Sequence, residues 1–242
     1  MNIKLEELAH HKTPLGELVL RRRPEPLLQN REVFEVKLGD EFLMSSLFTE
    51  GEKELANLGL AGLKGKLDVV VGGLGLGYTA VAVLDHENVR DLLVIDVFQE
   101  VIDWHVSRVV PLGRRLSEDI RCEMLKGDFF ELARTGFDVS DRKRKFDAVL
   151  LDIDHSPEYF LDQKNEIFYG FEGLKSLCKQ LKDGGVFALW SNDPTDEEFR
   201  KHLESVFGKA MAHTVEFANP YTNSTSSNSV YVAHKKTRSH TS

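Results

Sequence analysis

A doubly wound α/β fold, with helices on both faces of a mostly parallel sheet, is what this sequence predicts. Three observations predict it. Residues 67–96, LDVVVGGLGLGYTAVAVLDHENVRDLLVID, run from an apolar strand through a glycine-rich turn into a helical pattern and a second apolar strand that ends on an acid. The alternation of strand and helix then continues through three further strands. Finally, the chain closes on a pattern that reads as an antiparallel hairpin.

The elements are expected in the following order. Residues 1–14 read as a short polar helix or a frayed arm. Leu15 to Arg22, Arg31 to Leu38 and Glu41 to Ser46 read as strands, separated by a turn around Pro24 and Pro26 and by a Gly39-Asp40 turn. Thr49 to Leu60 is a helix with Glu50, Glu52, Lys53 and Glu54 early and Leu55, Leu58 and Leu60 packing. The main sheet begins with Asp68 to Val71, crosses over through a helix at Tyr78 to Leu84, and continues at Leu92 to Asp96. A helix at Glu100 to Val109 leads to strands at Cys122 to Lys126 and Phe146 to Leu151. Tyr169 to Leu181 is a helix closed by Asp183-Gly184-Gly185, and Val186 to Trp190 is the fifth strand. Glu197 to Phe207 is a helix with Asp196 as its N-cap. Met211 to Phe217 and Ser229 to Ala233 form the hairpin, with Asn219 to Asn228 as a loop rich in Asn, Ser and Thr. Residues 1–48 are thus a small N-terminal β element, 49–234 a Rossmann-like catalytic domain, and 235–242 a disordered tail.

Composition excludes several classes. The 242 residues carry a net charge of −8, with 41% apolar and 29% charged residues, so no basic footprint invites nucleic acid. No apolar run approaches the length of a membrane helix, and the N-terminus lacks the apolar core of a signal peptide. The two cysteines, Cys122 and Cys178, follow no metal-ligand spacing, so no metal is expected and a cytoplasmic location fits reduced thiols.

Gly73, Gly75 and Gly77 form GxGxG after a strand of valines and before a helix, with Asp96 at the end of the next strand. Glycine lets backbone approach a ligand closely, the helix start offers oriented N–H groups, and Asp96 is placed to accept both hydroxyls of a ribose. Capping a helix is the competing role for Asp96. Gly127-Asp128-Phe129 follows the third strand, where the acid can accept an adenine amine and Phe129 can wall the ring; a plain turn competes. Val97 adjoins Asp96 on the same edge. A dinucleotide is disfavoured because the third glycine of GxGxxG would fall on Tyr78. Five strands plus a hairpin suit the seven-stranded methyltransferase fold of S-adenosylmethionine-using enzymes, whose last strand is antiparallel.

The segment from Leu55 to Trp190 resembles the spermidine synthases, the polyamine aminopropyltransferases. KELANLGL (53–60) looks like the helix before that family's glycine motif, and GLGLG (73–77) sits where the family has GGGDG. His86 and Val89 match the approach to the next strand. Asp96 lands on the ribose-binding acid, Gly127-Asp128 on the adenine motif, and Asp152 on the first Asp of DSSDP, which in the family helps take the proton from the attacking amine. Phe168-Tyr169 and Asp183-Gly184-Gly185-Val186 also fall in register. The departures are Leu76 at the Asp of GGGDG, Gly51-Glu52 at a Tyr-Gln pair, and His155-Ser156 at the second Asp and the Pro of DSSDP. The N-terminal strands are similar in kind to the family's small β-domain and shorter. The resemblance implies a donor that is S-adenosylmethionine or its decarboxylated form, a small amine or other small acceptor, and room for a homodimer.

The expected chemistry is aminopropyl transfer to an amine or polyamine. Methyl transfer to a small acceptor uses the same sulfonium, and a non-catalytic S-adenosyl nucleoside-binding protein is the third reading. Asp152, Asp154 and His155 are the candidate catalytic residues, at the carboxyl end of the fourth strand where open α/β sheets bind ligands. Asp154, His155, Tyr159 and Asn192 are candidates for the acceptor pocket. Capping roles compete for Asp152 and Asp154, and an idle loop position for His155. Phe160, Tyr159, Trp190 and Tyr221 are candidates for an aromatic wall, and Trp104-His105 reads as ordinary helix packing.

Overall fold

In a computed structural model the structure describes residues 5–141 and 143–237. Residues 1–4 of the expected arm and 238–242 of the expected tail lie outside the described residues.

The chain opens with a four-stranded antiparallel sheet of β1 (Glu6–Thr13), β2 (Gly16–Glu25), β3 (Arg31–Leu38) and β4 (Glu41–Ser45), in that spatial order. Where a helix or arm is expected, Glu6–Thr13 is therefore an edge strand. Its residues pair with β2 from Glu6–Arg22 to Thr13–Gly16, and Glu6 meets Arg22 at 2.7 Å. The turn expected at Pro24 instead lies after Glu25, and β2 runs through the proline. Pro24 tolerates this because the β1 pairing has ended at Arg22, so the proline faces β3 alone, as on an edge.

The helix α1 (Glu50–Leu60) leads into the main sheet, where β5 (Leu67–Gly72), α2 (Tyr78–Leu84), β6 (Val89–Asp96), α3 (Gln99–Val106), α4 (Gly113–Ser117) and β7 (Cys122–Lys126) form the first half. Then come α5 (Phe129–Thr135), β8 (Phe146–Leu151), α6 (Glu166–Tyr169), α7 (Phe171–Gln180), β9 (Leu181–Ser191), α8 (Glu197–Phe207), β10 (Gly208–Asn219) and β11 (Ser224–Lys235). The seven-stranded sheet has the order β10-β11-β9-β8-β5-β6-β7, with β11 alone running antiparallel to the other six strands. Every residue of β5 is buried. Val69 and Val71 face one apolar cluster, with Leu55 and Ala80, and Val70 faces the other, with Val149 and Phe187. That two-sided burial is why the strand reads as an unbroken apolar run.

Three readings are corrected. The loop expected at 219–228 is mostly strand: Ser224 to Asn228 pair with β10 in continuous register, and only residues 220–223 turn. The helix expected at Tyr169 to Leu181 is two helices, broken where Gly170 goes extended at φ −73, ψ 168. Lys235, the first residue of the expected tail, closes β11 and donates from Nζ to the Leu181 carbonyl at 2.6 Å. Two short helices, α4 and α5, were not foreseen. Asp128 starts the second by accepting from the N–H groups of Phe130 and Glu131.

Candidate active site

The spatial order reverses between β5 and β8, and the crevice at such a switch point is where α/β sheets bind ligands. A cavity of about 400 Å³ lies there. The carboxyl ends of β5, β6, β7, β8 and β9 form its floor, and Leu15, Leu38, Phe42, Met44 and Phe48 of the small sheet and its exit form an apolar roof. The roof is pinned to the β10–β11 turn. Phe48 packs on Phe217 at 5.4 Å between centroids, and the Tyr221 hydroxyl donates to Glu25 while accepting from Arg23 at 3.0 Å.

Gly73 and Gly77 both take positive φ, 95° and 92°, so each suits glycine, but they serve different ends. A side chain on Gly73 would place its Cβ 2.0 Å from the Asp152 carbonyl oxygen at the cavity floor. On Gly77 it would meet Leu116 and His105, behind the loop. Gly77 does not line the cavity; its role is to let α3 and α4 close on the turn. Leu76 is fully buried in the core and does not line the cavity. Gly75 is gripped from both sides. Met44 Sδ from the small sheet accepts the Leu76 N–H at 3.1 Å, and His105 Nε2 lies 2.9 Å from the Gly75 carbonyl. Burial pushes the His105 ring down to about 4, so it is neutral and donates through Nε2–H, leaving Nδ1 buried without a partner. His105 thus holds the turn, a role not apparent in the helix pattern.

Asp96 lines the cavity at 9% exposure. One carboxylate oxygen accepts the Leu74 N–H at 3.0 Å and the other the Phe98 N–H at 2.9 Å. The Gly75 N–H adds a third backbone donor to the same carboxyl. Burial pushes this carboxyl up, against the backbone donors that favour its charge. Val97 lines the cavity beside it, and Gly127, Asp128 and Phe129 line the far end. Asp128 spends one oxygen on the α5 cap and holds the other 3.4 Å from Lys164 Nζ. Phe129 packs beneath Gly72, whose Cβ would fall 2.4 Å from the ring, and edge-on to Phe130 and Phe168.

Asp152 reaches the cavity from the end of β8 and accepts from the Thr79 hydroxyl at 2.6 Å. Facing it is Glu52 of α1, 8% exposed and also lining the cavity. Burial pushes both carboxyls above their ordinary values, and their mutual repulsion raises Glu52 further. The Trp190 indole N–H lines the same end without a hydrogen-bond partner, beside Asn192 and the buried Asn228. Asn228 Nδ2 donates to Asn192 Oδ1 at 3.2 Å.

The other candidates divide. Asp154 is 1% exposed and is turned away from the cavity: it accepts from Leu161 N–H at 2.8 Å, Asn165 Nδ2 at 3.0 Å and the Tyr169 hydroxyl at 2.8 Å. It organises the 154–169 segment from inside and, unlike the expected catalytic and acceptor residue, does not line the cavity. His155 lines the cavity at its mouth, with Nε2 3.7 Å from Glu41, and its carbonyl accepts the Asn192 N–H at 2.8 Å. Tyr159 is 51% exposed and lies outside the cavity, in a surface groove that continues from it; its hydroxyl donates to Glu41 at 2.8 Å. Of the four aromatic candidates only Trp190 lines the cavity. Phe160 stacks on Tyr169, and Tyr221 pins the roof. Sequence reasoning missed Glu52, Met44, His105 and Asn228. For Glu52 a signal existed: residues 52, 55, 56, 59 and 60 share the buried face of α1, so the acid stands at an apolar-face position.

Among the described residues no cluster of three His, Cys, Asp or Glu side chains is placed to hold a metal, and no helix is long and apolar enough to cross a membrane. No curated protein sequence matches the chain. Among solved structures, a spermidine synthase in complex with the transition-state analogue AdoDATO superposes with a TM-score of 0.74 at 17% identity, covering 98% of this chain and 76% of that one. The spermidine synthase from Thermotoga maritima gives 0.72 at 17% identity, covering 98% and 75%. These likenesses show the fold, the small sheet included. The spermine/spermidine synthase domain family matches residues 51–241, most of the chain and every carboxyl of the cavity. The chain therefore belongs to the spermine/spermidine synthase family of transferases.

Proposed function

We propose that this protein transfers an aminopropyl group from decarboxylated S-adenosylmethionine to a small amine. The observation that carries the reading is the charge of the cavity. Three carboxyls meet in it, the buried Asp96 and Glu52 and the half-buried Asp152. The one lysine or arginine among its described lining residues, Lys164, is taken up by Asp128 at 3.4 Å and Asp162 at 3.2 Å. A donor tail ending in a carboxylate would bring another acid beside carboxyls that burial already resists ionising, with no lysine or arginine free to meet it among the described lining residues. A tail ending in an ammonium complements the site, and at ~4 Å each such contact is worth up to about 4 kcal/mol at an effective dielectric of ~20.

Asp96 receives the ribose hydroxyls, and Gly73 lets the donor pass close over the turn. The attacking nitrogen must lose a proton before it can act as a nucleophile. Asp152 accepts that proton: burial makes it a stronger base than a surface carboxylate, and Thr79 fixes its orientation. The amine nitrogen then forms a bond to the carbon beside the sulfonium as the carbon–sulfur bond breaks. The electron pair goes to sulfur, so the leaving thioether needs no acid. The apolar roof of Leu15, Leu38, Phe42 and Phe48 excludes water that would compete with the amine.

The test is incubation with decarboxylated S-adenosylmethionine and a panel of mono- and diamines, read by mass spectrometry. The expected products are methylthioadenosine and an aminopropylated amine in equal amounts. A methylated acceptor formed from S-adenosylmethionine, with no aminopropyl product, would overturn the reading in favour of methyl transfer. Binding of the nucleosides without any product would leave a binding protein. Asp152→Asn is expected to keep methylthioadenosine affinity and lower turnover by about 100-fold or more, the scale of a lost general base.

A further inference from the structure

The glycine turn offers the donor tail no acid, because Leu76 points into the core. A second carboxyl nevertheless reaches the same space from another element. Glu52 is 8% exposed, its carboxyl accepts from its own backbone N–H, and it lines the cavity together with Asp152. An acid this buried, with a like charge beside it and one local donor, needs a proton or a cation. The neighbouring charges supply little of it. Lys53 acts on Glu52 more weakly than burial, Asp152 or Glu50 do, and its ammonium lies over the Tyr78 ring, 5.8 Å from the centroid.

The position of the pair says which cation it faces. Asp96 binds the Leu74 N–H, so the ribose end lies one residue from Gly73. The Asp152 carbonyl packs against Gly73 on the other side, and its carboxylate bonds Thr79 in the first turn of α2. A substituent leaving the ribose and crossing Gly73 therefore arrives between Asp152 and Glu52. The acceptor has its own approach, at the mouth formed by Phe42, His155 and Asn192, where the cavity meets the surface groove.

We propose that Glu52, together with Asp152, clamps the terminal ammonium of the donor's aminopropyl tail and is the residue that sets the choice of a decarboxylated over a carboxylated donor. This rests on the donor reading above. The selecting acid has in effect moved from the glycine turn to the first turn of α1. When the ammonium binds, it replaces the proton that the carboxyl pair otherwise holds.

The experiment is calorimetric titration of the wild type, Glu52→Gln and Glu52→Asp with methylthioadenosine, decarboxylated S-adenosylmethionine and S-adenosylmethionine. Glu52→Gln is expected to bind methylthioadenosine as the wild type does, because that nucleoside has no ammonium. It is expected to bind the decarboxylated donor at least 10-fold more weakly, the scale of one charge-assisted contact, and to lose preference over the carboxylated donor by the same factor. Glu52→Asp keeps the charge and is expected to retain most of the preference. An unchanged preference in Glu52→Gln would overturn the clamp and leave the donor reading standing. Equal losses for all three nucleosides would assign Glu52 to holding the fold and also overturn it. A wild type that binds neither methylthioadenosine nor the decarboxylated donor would instead overturn the donor reading itself.

Discussion

Replacing Asp154 by alanine should cost the fold far more than the chemistry. The carboxylate accepts from the Leu161 N–H, Asn165 Nδ2 and the Tyr169 hydroxyl, and Asn165 and Tyr169 are 3% and 6% exposed. Alanine strands three donors where little water reaches. Each stranded buried donor costs about 1–3 kcal/mol, and a water admitted into the vacated space recovers part of it, so the net loss is about 3–5 kcal/mol. Tyr169→Phe removes one donor and should cost about 1 kcal/mol. In the Asp154→Ala background the same change should cost nothing, because the hydroxyl it deletes is already stranded. Asp154→Asn keeps an acceptor and the shape, and should cost about 1–2 kcal/mol. Urea unfolding of the four variants measures all of this. A loss below about 1 kcal/mol for Asp154→Ala, or full additivity with Tyr169→Phe, would refute the reasoning. So would an Asp154→Asn protein that is folded, binds methylthioadenosine and yet turns over at a small fraction of the wild-type rate, because that result would return Asp154 to the reaction.

Three further outcomes are expected. Asp96→Ala should weaken methylthioadenosine by tenfold or more, since each charge-assisted hydrogen bond contributes about 1.5–3 kcal/mol; unchanged affinity by calorimetry would remove Asp96 from the ribose site. Gly73→Ala puts a Cβ 2.0 Å from the Asp152 carbonyl at a φ of 95° and should abolish nucleoside binding while lowering the thermal midpoint; a variant that binds normally would show that the turn yields freely. The Glu52 carboxyl is raised by burial first and by Asp152 second, so the folded chain holds its proton more tightly than the unfolded chain does. Its contribution to stability is then full below the ordinary glutamate range of about 4.3 and is lost as pH rises through the raised value. In the ligand-free protein Glu52→Gln should therefore gain on the wild type from about pH 5 to about pH 8, and a pH-independent difference in urea midpoint would contradict this.

The parts of the fold legible in the sequence are those where one local rule acts alone. The crossover helix at Tyr78–Leu84 is read in place because a glycine turn and an apolar run bracket it, and α8 because Asp196 caps it and Gly208 ends it at a φ of 114°. Asn219 to Asn228 misled because Asn, Ser and Thr are turn formers by count, whereas here a full-length partner strand fixes them. Glu6–Thr13 misled because the strand is mostly exposed and shows no clean alternation. Within the site, the places of Asp96, Asp128 and Asp152 in the cavity were legible since each closes a strand or begins a turn, positions with a known direction. Glu52 and Asp154 were not, because their roles depend on which face of α1 packs inward and on how 154–169 folds back on itself. The register that aligned Leu76 with an acid was a statement about the chain; the direction of that side chain was set by packing.

The hydrogen bond from Leu76 N–H to Met44 Sδ bears on how this protein can be taken apart. The glycine turn is finished by an atom belonging to the small sheet, some thirty residues earlier in the chain. A fragment beginning at α1 would keep every acid of the cavity and still lack the acceptor that closes Gly75 and Leu76. Grafting this nucleoside site onto another scaffold, or exchanging the small sheet between relatives, thus requires carrying a thioether at that point. It also makes the turn answerable to oxidants: conversion of Met44 to its sulfoxide would put a larger, polar group where Gly75 leaves room for none.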